Sequence, residues 1–445
     1  MTEAVRPIAA TERDMIMQAL SAGVVPRRGL RHIQVGRAAE VTALISDIAR
    51  IAGGGAAIRF VIGEYGAGKT FFLNLVRLIA LERKLVVVQA DLAPDRRLHG
   101  RAGQARGLYV EAVRNMSTRT KPDGGALAGV MERFLTDARR QAESSGTSVD
   151  KVIDAKLAPL QDEVGGYDYT VVLKAYLRGS ESGNDALRDA ALRWIRGEFS
   201  TKTEARASLP VRNIIDDSNL YDSLKLLASF VKIAGHAGLM VIFDEMVNLW
   251  KLQAPQARSA NYEEVLRIIN DVIQGNVRNL GFLFGGTPEF LMDTRRGLYS
   301  YPALESRLAE NTFAKDGLVD MSGPVIRLQN LSPEDLLILL SNIRHVKAGG
   351  DPSKYLVPDE AFRAFMNHCS QRIGEAYFRT PRNTTKAFVD LLAVLDQNSD
   401  ADWRTLLGDV DIALDDGARQ DTTPLEEGSE SGAEGGGDDL VHFRL

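Results

Sequence analysis

The chain has 445 residues and a formal net charge of −5, and 44% of its residues are hydrophobic and 25% are charged. This composition is typical of a folded protein, and the length suggests two or three structural units. The single cysteine, Cys369, excludes a disulfide framework and a cysteine-based zinc site, and we interpret it as a small core residue.

The charge is unevenly distributed along the chain. Residues 411–445 contain ten acidic residues and two arginines, a charge of −8, and subtracting this from the total of −5 leaves +3 on the preceding residues. The acidic total therefore does not exclude a nucleic-acid partner. The N-terminus has no apolar run of the signal-peptide kind, and the most apolar stretch, 224–243, is interrupted by Lys232 and His236. We expect a cytoplasmic protein with no membrane partner.

Five short runs rich in β-branched residues predict buried parallel strands at 58–62, 85–91, 239–245, 280–286 and 325–331. Helical patterns lie between these runs, so the predicted fold class is α/β with a parallel five-stranded sheet. The interval between the second and third runs is long, and its amphipathic patterns predict a helical insertion at about residues 108–215. Turns are predicted within it at residues 122–125 and around Gly179.

The first run leads into a glycine-rich segment and then into a helical pattern. Residues 63–70 read GEYGAGKT, which matches the Walker A pattern G-x-x-x-x-G-K-[ST] in the strand–loop–helix order that this motif requires. Successive backbone N–H groups and the helix N-terminus then face the phosphates of a nucleotide. Lys69 is expected to neutralise the β- and γ-phosphates, and Thr70 to ligate Mg²⁺. The predicted nucleotide-binding residues are Gly63, Glu64, Tyr65, Gly66, Ala67, Gly68, Lys69, Thr70 and Phe71.

Two acidic residues, Asp244 and Glu245, end the third run, in the manner of a Walker B motif. Five apolar residues precede them, which places both carboxylates at the carboxyl edge of the sheet, beside the phosphates. Asp244 is the predicted second metal ligand, and Glu245 is the predicted group that orients and deprotonates the attacking water. The pair favours hydrolysis of ATP over binding alone.

Three further residues are candidates for contact with the γ-phosphate. Thr287 follows the fourth run, where a polar side chain can reach the phosphate or the water, although a plain strand-ending turn is the alternative. Arg307, in the segment YPALESRLAEN, is a candidate arginine finger for the nucleotide of an adjacent subunit, which requires an oligomer. Arg382 opens a late helical pattern and is a candidate for contact within its own chain. For each arginine the alternative is a solvated or salt-bridged side chain.

Helical patterns after the fifth run predict a small all-helical C-terminal lid domain at 332–410, with Ser332 as N-cap and Pro333 at the first helical position. The other predicted units are an N-terminal helical arm at 1–35, a P-loop ATPase domain at 36–331, and an acidic flexible tail at 411–445. The tail ends in LVHFRL, which either packs on its own domain or docks on a partner.

The motif set GEYGAGKTFF, LMVIFDE and GFLFGGTPEF, with the SRL segment and the Pro-Arg pair at 381–382, resembles an AAA+ ATPase of the initiator type, close to the origin-recognition and STAND groups. More narrowly, residues 10–400 are similar to the ATP-binding proteins of the BREX phage-defence systems, the C/D-type family. In that family GEYGAGK[ST]-F-F and a segment like the GVVP at residues 23–26 are typical.

The resemblance implies a set of roles and partners. Gly36 and Arg37 are expected near the adenine, Thr287 as sensor 1, Arg307 as the finger and Arg382 as sensor 2. ATP and Mg²⁺ are the expected cofactors. A homo-oligomer, DNA and partner proteins of a prokaryotic anti-phage system, such as a helicase or a nuclease, are the expected partners.

The use of the ATP is open between two alternatives. The first is a DNA-associated, loader- or clamp-like ATPase. The residues 95–107 offer arginines for phosphate contact, and PRRGLRH (26–32) is a second basic segment, although a solvated loop is the plainer interpretation. The second alternative is a STAND-like nucleotide switch that signals to a protein partner through the helical insertion and the tail. A motor helicase is not supported, because the chain has one phosphate loop. The four arginines predicted to contact DNA are Arg96, Arg97, Arg101 and Arg106.

Overall fold

The computed structural model describes residues 7–314, 320–373 and 381–409. Its centre is a five-stranded sheet in the order β2-β3-β4-β1-β5, and every neighbouring pair is parallel. The predicted α/β class with a parallel five-stranded sheet is therefore confirmed. The strands are β1 Ala56–Ile62, β2 Val86–Asp91, β3 Leu239–Asp244, β4 Leu280–Gly286 and β5 Val325–Arg327.

Strand β4 lies between β1 and β3, so the strand that leads into the glycine-rich segment and the strand that ends in Asp244 are not neighbours. Ile62 at the end of β1 is in register with Gly286, and Asp244 is in register with Asp91 of β2. Parallel strands present their carboxyl ends at one edge of the sheet, which is where open α/β sheets bind ligands. The residues that follow these strands are therefore brought to one edge.

The carboxyl ends of two strands differ from the prediction. Strand β5 has three residues instead of the run 325–331, because the chain leaves the sheet after Arg327 and crosses beside the glycine-rich segment. Strand β3 ends at Asp244, because Glu245 has a φ of 57°, in the left-handed region that no strand residue adopts.

Helices surround the sheet and form a further group after β5. Those before β3 are α1 Ala10–Ser21, α2 Ala38–Ala52, α3 Lys69–Glu82, α4 Gln104–Arg114, α5 Leu127–Ser145, α6 Val149–Gln161, α7 Gly166–Ser182, α8 Asp185–Ile195, α9 Lys202–Ser208 and α10 Leu220–Ile233. Those after β3 are α11 Val247–Trp250, α12 Pro255–Ile273, α13 Pro288–Met292, α14 Pro302–Leu308, α15 Pro333–Lys347, α16 Asp359–Ile373, α17 Pro381–Gln397 and α18 Trp403–Asp409.

The structure confirms some of the helix and turn predictions made from local sequence signals and contradicts one of them. Helix α15 begins with the predicted Ser332 cap, and Asp335 completes a capping box with it. The predicted turn at 122–125 is confirmed by the left-handed φ of Gly124 and Gly125. The predicted turn at Gly179 is wrong, because Gly179 lies inside α7. A Cβ at Gly179 would lie 2.9 Å from the backbone of α8, so this glycine permits α7 and α8 to pack closely.

Both faces of the sheet are covered by helices. Phe60 of β1 belongs to a large core with residues of α4–α8, α10 and α12, whereas Val61, the next residue, belongs to a smaller core with α2 and α3. Alternate side chains of a strand point to opposite faces, so the apolar runs at 58–62 and 239–243 are buried on both sides. This double burial explains why those runs contain almost no polar residues.

A third core joins the two ends of the chain. Ile16 of α1 is buried with Leu340 of α15 and Phe388 of α17, and α1 contacts both of these helices. Leu75 of α3 also belongs to this core, so the C-terminal helices rest on the helix that follows the glycine-rich segment. The predicted acidic tail at 411–445 lies outside the described residues. Within the described ranges, every helix is too short or too polar to cross a membrane.

Candidate functional site

The glycine-rich segment forms a tight loop between β1 and α3. Gly66 and Gly68 have φ values of 82° and 81°, a backbone conformation that glycine adopts without strain, and Gly68 is the N-cap of α3. At Gly63 a Cβ would lie 3.2 Å from the carbonyl oxygen of Leu328, so a side chain at this position would be tightly packed against the backbone. The loop and the N-terminus of α3 together present backbone N–H groups and a positive dipole end, a ready site for phosphate groups.

Lys69 and Thr70 begin helix α3 at the end of this loop. The Lys69 Nζ atom donates hydrogen bonds of 2.9 Å to the carbonyl oxygens of Gly63 and Glu64, so that the ammonium spans the loop. The Thr70 hydroxyl donates a hydrogen bond of 3.1 Å to Oδ2 of Asp244. The start of α3 and the end of β3 are thus joined by a direct contact between a hydroxyl and a carboxylate. Hard oxygen ligands of this kind fit Mg²⁺, which a protein binds with one or two side chains and substrate phosphates.

Asp244 is almost fully buried, with 7% of its surface exposed. Burial raises the pKa of its carboxyl group, and the backbone N–H of Glu245, the Lys69 ammonium and the Thr70 hydroxyl oppose that rise. The Glu245 N–H donates a 2.8 Å hydrogen bond to Oδ1 of Asp244. The carboxylate is therefore held on both sides, with one oxygen facing the backbone and the other facing Thr70.

Glu245 is exposed and borders the cavity beside Lys69 and Thr70. Its left-handed φ of 57° costs about 1–3 kcal/mol for a residue with a Cβ, a kind of strain that clusters at functional sites. The conformation turns the chain out of β3, so that Asp244 is buried while the next carboxylate reaches the cavity. Sequence reasoning identified both acids but not this reversal of the backbone.

Thr287 follows β4 and borders the same cavity. Its hydroxyl accepts a 3.5 Å hydrogen bond from the Phe290 N–H, so it also caps the short helix α13. Two positions earlier, a Cβ at Gly285 would overlap Oδ1 of Asp244 and lie 2.9 Å from Leu73 Cδ1. The glycine at 285 leaves room for the buried carboxylate of the neighbouring strand.

Asp91 is a carboxylate at this edge that sequence reasoning missed. It ends β2 in register with Asp244, and it borders the cavity. Burial of the carboxyl group raises its pKa, the charge of Asp244 adds to the rise, and Arg96 opposes it. The signal was present in the run LVVVQAD, which ends in an acid as LMVIFD does. Asp91 reaches the site only because β2 pairs with β3, and neither run predicts that pairing.

The cavity has a volume of about 750 Å³ and extends from these strand ends to the segment before α2. Apolar residues border this end of the cavity, among them Val25 and Ile33 of that segment and Leu339 of α15. An apolar pocket next to a phosphate-binding loop has the character of a site for a purine base. Phe71, predicted to bind nucleotide, borders the cavity and packs against the third core.

Arg37 borders the cavity and connects two segments of the chain. Its Nη2 atom donates hydrogen bonds to the carbonyl oxygens of Ala67, at 2.9 Å, and of Gln329, at 2.6 Å. Burial lowers the pKa of the guanidinium, and the charges of Glu40 and Asp335 oppose the change. Gly36 has a φ of 60° and lies against Asp335, where a Cβ would come within 3.3 Å of Oδ1.

Arg382 lies at the start of α17 and also borders the cavity. Its Nε atom donates a 2.5 Å hydrogen bond to the carbonyl oxygen of Gly23, and its Nη1 atom lies 3.5 Å from the hydroxyl of Tyr65. The structure therefore brings Arg382 to the loop at 63–68 and connects it to the segment that follows α1, and its contact with the γ-phosphate stays a prediction.

Arg307 is not among the residues that border the cavity. Its Nε atom donates a 2.8 Å hydrogen bond to Oδ1 of Asn270, and its Nη1 atom donates to the carbonyl oxygen of Ala303 at 2.7 Å. Within one chain it is a partly buried residue that anchors α14 to α12. A role in the site of an adjacent subunit stays a prediction.

The four arginines of the segment 95–107 do not share one surface. Arg96 borders the cavity 3.9 Å from Glu111, and Arg97 donates to the carbonyl oxygen of Pro94 at 2.8 Å. The Nη1 atom of Arg106 faces the carbonyl oxygens of residues 197 and 199. Of the four, Arg101 alone is exposed. The folded segment thus presents much less positive charge to solvent than its sequence suggests.

A family model described as BREX system ATP-binding protein BrxC/D matches residues 8–411, which include the loop, both acidic strand ends, Arg37 and Arg382. A search among curated proteins gave no match. The family match covers nearly the whole chain, and this chain therefore belongs to the BrxC/D family of BREX system ATP-binding proteins.

Proposed function

We propose that this protein is an AAA+ ATPase that hydrolyses ATP with Mg²⁺ and acts with DNA and partner proteins in anti-phage defence. The observation that carries the proposal is the contact of the Thr70 hydroxyl with the Asp244 carboxylate, next to an exposed Glu245 at the same edge of the sheet. Membership of the family supports ATP as the nucleotide and phage defence as the biological context. Hydrolysis is supported by Glu245, because binding alone needs no carboxylate at that position.

In the proposed reaction each side chain has one task. Lys69 leaves the carbonyl oxygens of Gly63 and Glu64 and neutralises the β- and γ-phosphates. Thr70 and Asp244 hold Mg²⁺, which when bound offsets the charge that develops on the phosphates. Glu245 orients a water molecule for attack on the γ-phosphorus and accepts its proton. Thr287 contacts the γ-phosphate or that water.

The C-terminal helices supply a lid in this proposal. Arg382 releases the carbonyl oxygen of Gly23 and moves to the γ-phosphate when ATP binds, so that α17 follows the nucleotide. The proposed units are the arm at 1–35, the ATPase domain at 36–331 with its helical insertion, the lid at 332–410 and the tail at 411–445. A cytoplasmic location and a homo-oligomer with Arg307 as its finger complete the proposal.

The test compares Glu245→Gln with Glu143→Gln, the same change at an exposed position of α5. We expect Glu245→Gln to bind a fluorescent ATP analogue with unchanged affinity and to lose turnover by about 10²–10⁴-fold, the usual contribution of a general base. Glu143→Gln should match the unmodified protein in both measurements. Turnover that survives in Glu245→Gln would remove the basis for the proposed water activation.

A second candidate function is a STAND-like switch that reads nucleotide state and signals to a protein partner without DNA contact. The contacts of Arg382 with Tyr65 and of Asn330 with Glu64 favour it, because they connect the start of α17 and the segment before α15 to the nucleotide loop. Turnover with and without DNA separates the two candidates. Stimulation by DNA supports the first, and a single turnover that DNA leaves unchanged supports the switch.

A mass measurement addresses assembly. We expect Glu245→Gln with ATP and Mg²⁺ to form an oligomer, and Arg307→Ala to lower turnover strongly while keeping ATP affinity, because an arginine finger acts on the transition state of a neighbouring subunit. Loss of ATP binding in Arg307→Ala would instead indicate that its contacts with Asn270 and Ala303 are structural.

A further inference from the structure

Two basic segments that are distant in the sequence meet at the mouth of the cavity. The segment 26–32 lies between α1 and α2, and the segment 118–123 follows α4. An ion pair between Arg28 and Asp123 joins them. Arg27 and Asp123 both border the cavity. The sequence gives no reason to expect this contact, since the two segments are 95 residues apart.

Exposed cations from both segments form a patch at this junction, which we call the basic patch: Arg27, Arg28, Arg119 and Lys121. Asp123 is the one acid in the two segments, and it is already paired with Arg28. The patch therefore carries an excess of three positive charges. Neither segment contains Phe, Tyr or Trp, so the patch offers charge without a stacking platform.

A buried arginine lies beneath the basic patch. Arg77 of α3 is 7% exposed, and its Nη2 atom donates hydrogen bonds to Oγ of Ser117, at 3.0 Å, and to the carbonyl oxygen of Pro122. Both acceptors are neutral, and no carboxylate is hydrogen-bonded to Arg77 in the described part of the chain. Burial lowers the pKa of its guanidinium, with Arg27 and Arg28 adding to the change and Asp123 opposing it.

A buried cation with like-charged neighbours is costly unless an anion approaches it. Arginine is well suited to phosphate, because its planar fork of N–H donors matches the oxygens of a phosphodiester. We propose that the basic patch is a contact surface for the phosphate backbone of a nucleic acid. The proposal rests on the proposed function, and it places DNA contact at this junction instead of the segment 95–107.

The location links the surface to the nucleotide site. Thr70 and Arg77 are two turns apart on α3, about 10 Å along the helix axis, and both border the cavity. A phosphate drawn to the basic patch would act on Pro122 and Ser117, to which Arg77 is bonded, and so on the helix that begins with Lys69 and Thr70. Contact with nucleic acid and occupancy of the nucleotide site are therefore expected to influence each other.

The experiment measures binding of fluorescent DNA, as a 30-base-pair duplex and a 30-nucleotide single strand of unrelated sequence, to the full chain between 50 and 300 mM salt. The test variant Arg119→Glu/Lys121→Glu changes two residues that do not border the cavity. The control variant Arg140→Glu/Arg178→Glu makes the same change of charge at exposed arginines elsewhere. The milder Arg119→Ala/Lys121→Ala serves if the reversed charges impair folding, which thermal unfolding detects.

We expect the test variant to lose affinity about tenfold or more at 100 mM salt, and its slope of log K against log salt to fall by about 2, because each phosphate contact releases counterions. The control variant should keep the affinity of the unmodified protein. Equal losses in both variants, or a loss in the control alone, would overturn the assignment of the surface. Displacement of DNA by polyglutamate at equal charge concentration would also overturn the assignment, because it would indicate an acidic polypeptide as the partner.

Turnover without DNA is measured on the same samples and distinguishes the two proposals. An active ATPase that binds no DNA at any salt overturns the basic patch and leaves the proposed hydrolysis intact. An unmodified protein that binds DNA through the basic patch but does not hydrolyse ATP overturns the hydrolysis and leaves the surface intact.

Discussion

The side chain of Asn330 donates a hydrogen bond of 2.9 Å to Oε2 of Glu64, which connects the segment between β5 and α15 to the phosphate loop. One residue earlier, the carbonyl oxygen of Gln329 accepts from Arg37, which also holds the carbonyl oxygen of Ala67. The chain that leads to the C-terminal helices is thus bonded to the loop at two points. Movement of the loop on nucleotide binding would be transmitted to those helices through short contacts.

Asn330→Ala removes the first of these contacts. We expect ATP affinity to fall about threefold to tenfold and the free energy of unfolding to fall by about 0.5–1.5 kcal/mol, the usual net value of one hydrogen bond. Fluorescent ATP titration and urea unfolding measure the two effects. Asn311→Ala is the control, because Asn311 donates a hydrogen bond to the carboxylate of Asp320, away from the phosphate loop. Equal ATP affinities in the two variants would show that the contact does not support the site.

Arg37→Lys keeps the positive charge and tests the fork geometry of the guanidinium. A lysine ammonium is a point charge on a flexible stem and does not reproduce the bridge between Ala67 and Gln329. We expect ATP affinity about tenfold lower and unfolding easier by about 1–2 kcal/mol. Arg50→Lys, at an exposed arginine of α2, the helix that follows Arg37, should change neither. Full activity in Arg37→Lys would mean that charge alone suffices at this position.

Gly285→Ala tests the space that the buried carboxylate needs. The added methyl group would overlap Oδ1 of Asp244, and β4 cannot move away without disturbing its pairing with β1 and β3. We expect a loss of about 1–3 kcal/mol in stability and at least tenfold in turnover, because the carboxylate is pushed off its position beside Thr70. Gly129→Ala, inside α5 with open space around it, should instead be neutral or stabilising. Similar turnover in both alanine variants would contradict the packing argument.

Stability should depend on the protonation of His236. Burial lowers the pKa of its imidazole to about 4 from an ordinary value near 6.5, and the charge of Arg133 adds to the shift. Below about pH 6.5 the unfolded chain therefore binds a proton that the folded chain does not. The free energy of unfolding falls as the pH drops from 6.5 toward 4, and above pH 6.5 this loss is absent.

Urea unfolding at several pH values between 4.5 and 7.5 measures this dependence. We expect His236→Gln to reduce the loss of stability on acidification by about 1 kcal/mol, less than the pKa shift alone implies, because the ring is partly exposed and solvent screens it. Identical pH dependence in His236→Gln and in the unmodified protein would assign the effect to other groups.

Elements whose signals are local can be predicted from the sequence. The phosphate loop is recognisable at 63–70 because its glycines and lysine must follow one another closely between a strand and a helix. The apolar runs at 58–62 and 239–243 identify buried strands, because a strand covered on both faces contains few polar residues. The cap at Ser332 is likewise a matter of four neighbouring residues.

The contacts between these elements depend on how the whole chain packs. The register of β2 with β3 brings Asp91 to Asp244, and the crossing of the chain after β5 brings Asn330 to Glu64. Such contacts join residues far apart in the sequence, and their energies depend on packing that no local pattern records. For the same reason three of the four arginines of the segment 95–107 are partly buried, while two segments 95 residues apart form the basic patch through Arg28 and Asp123.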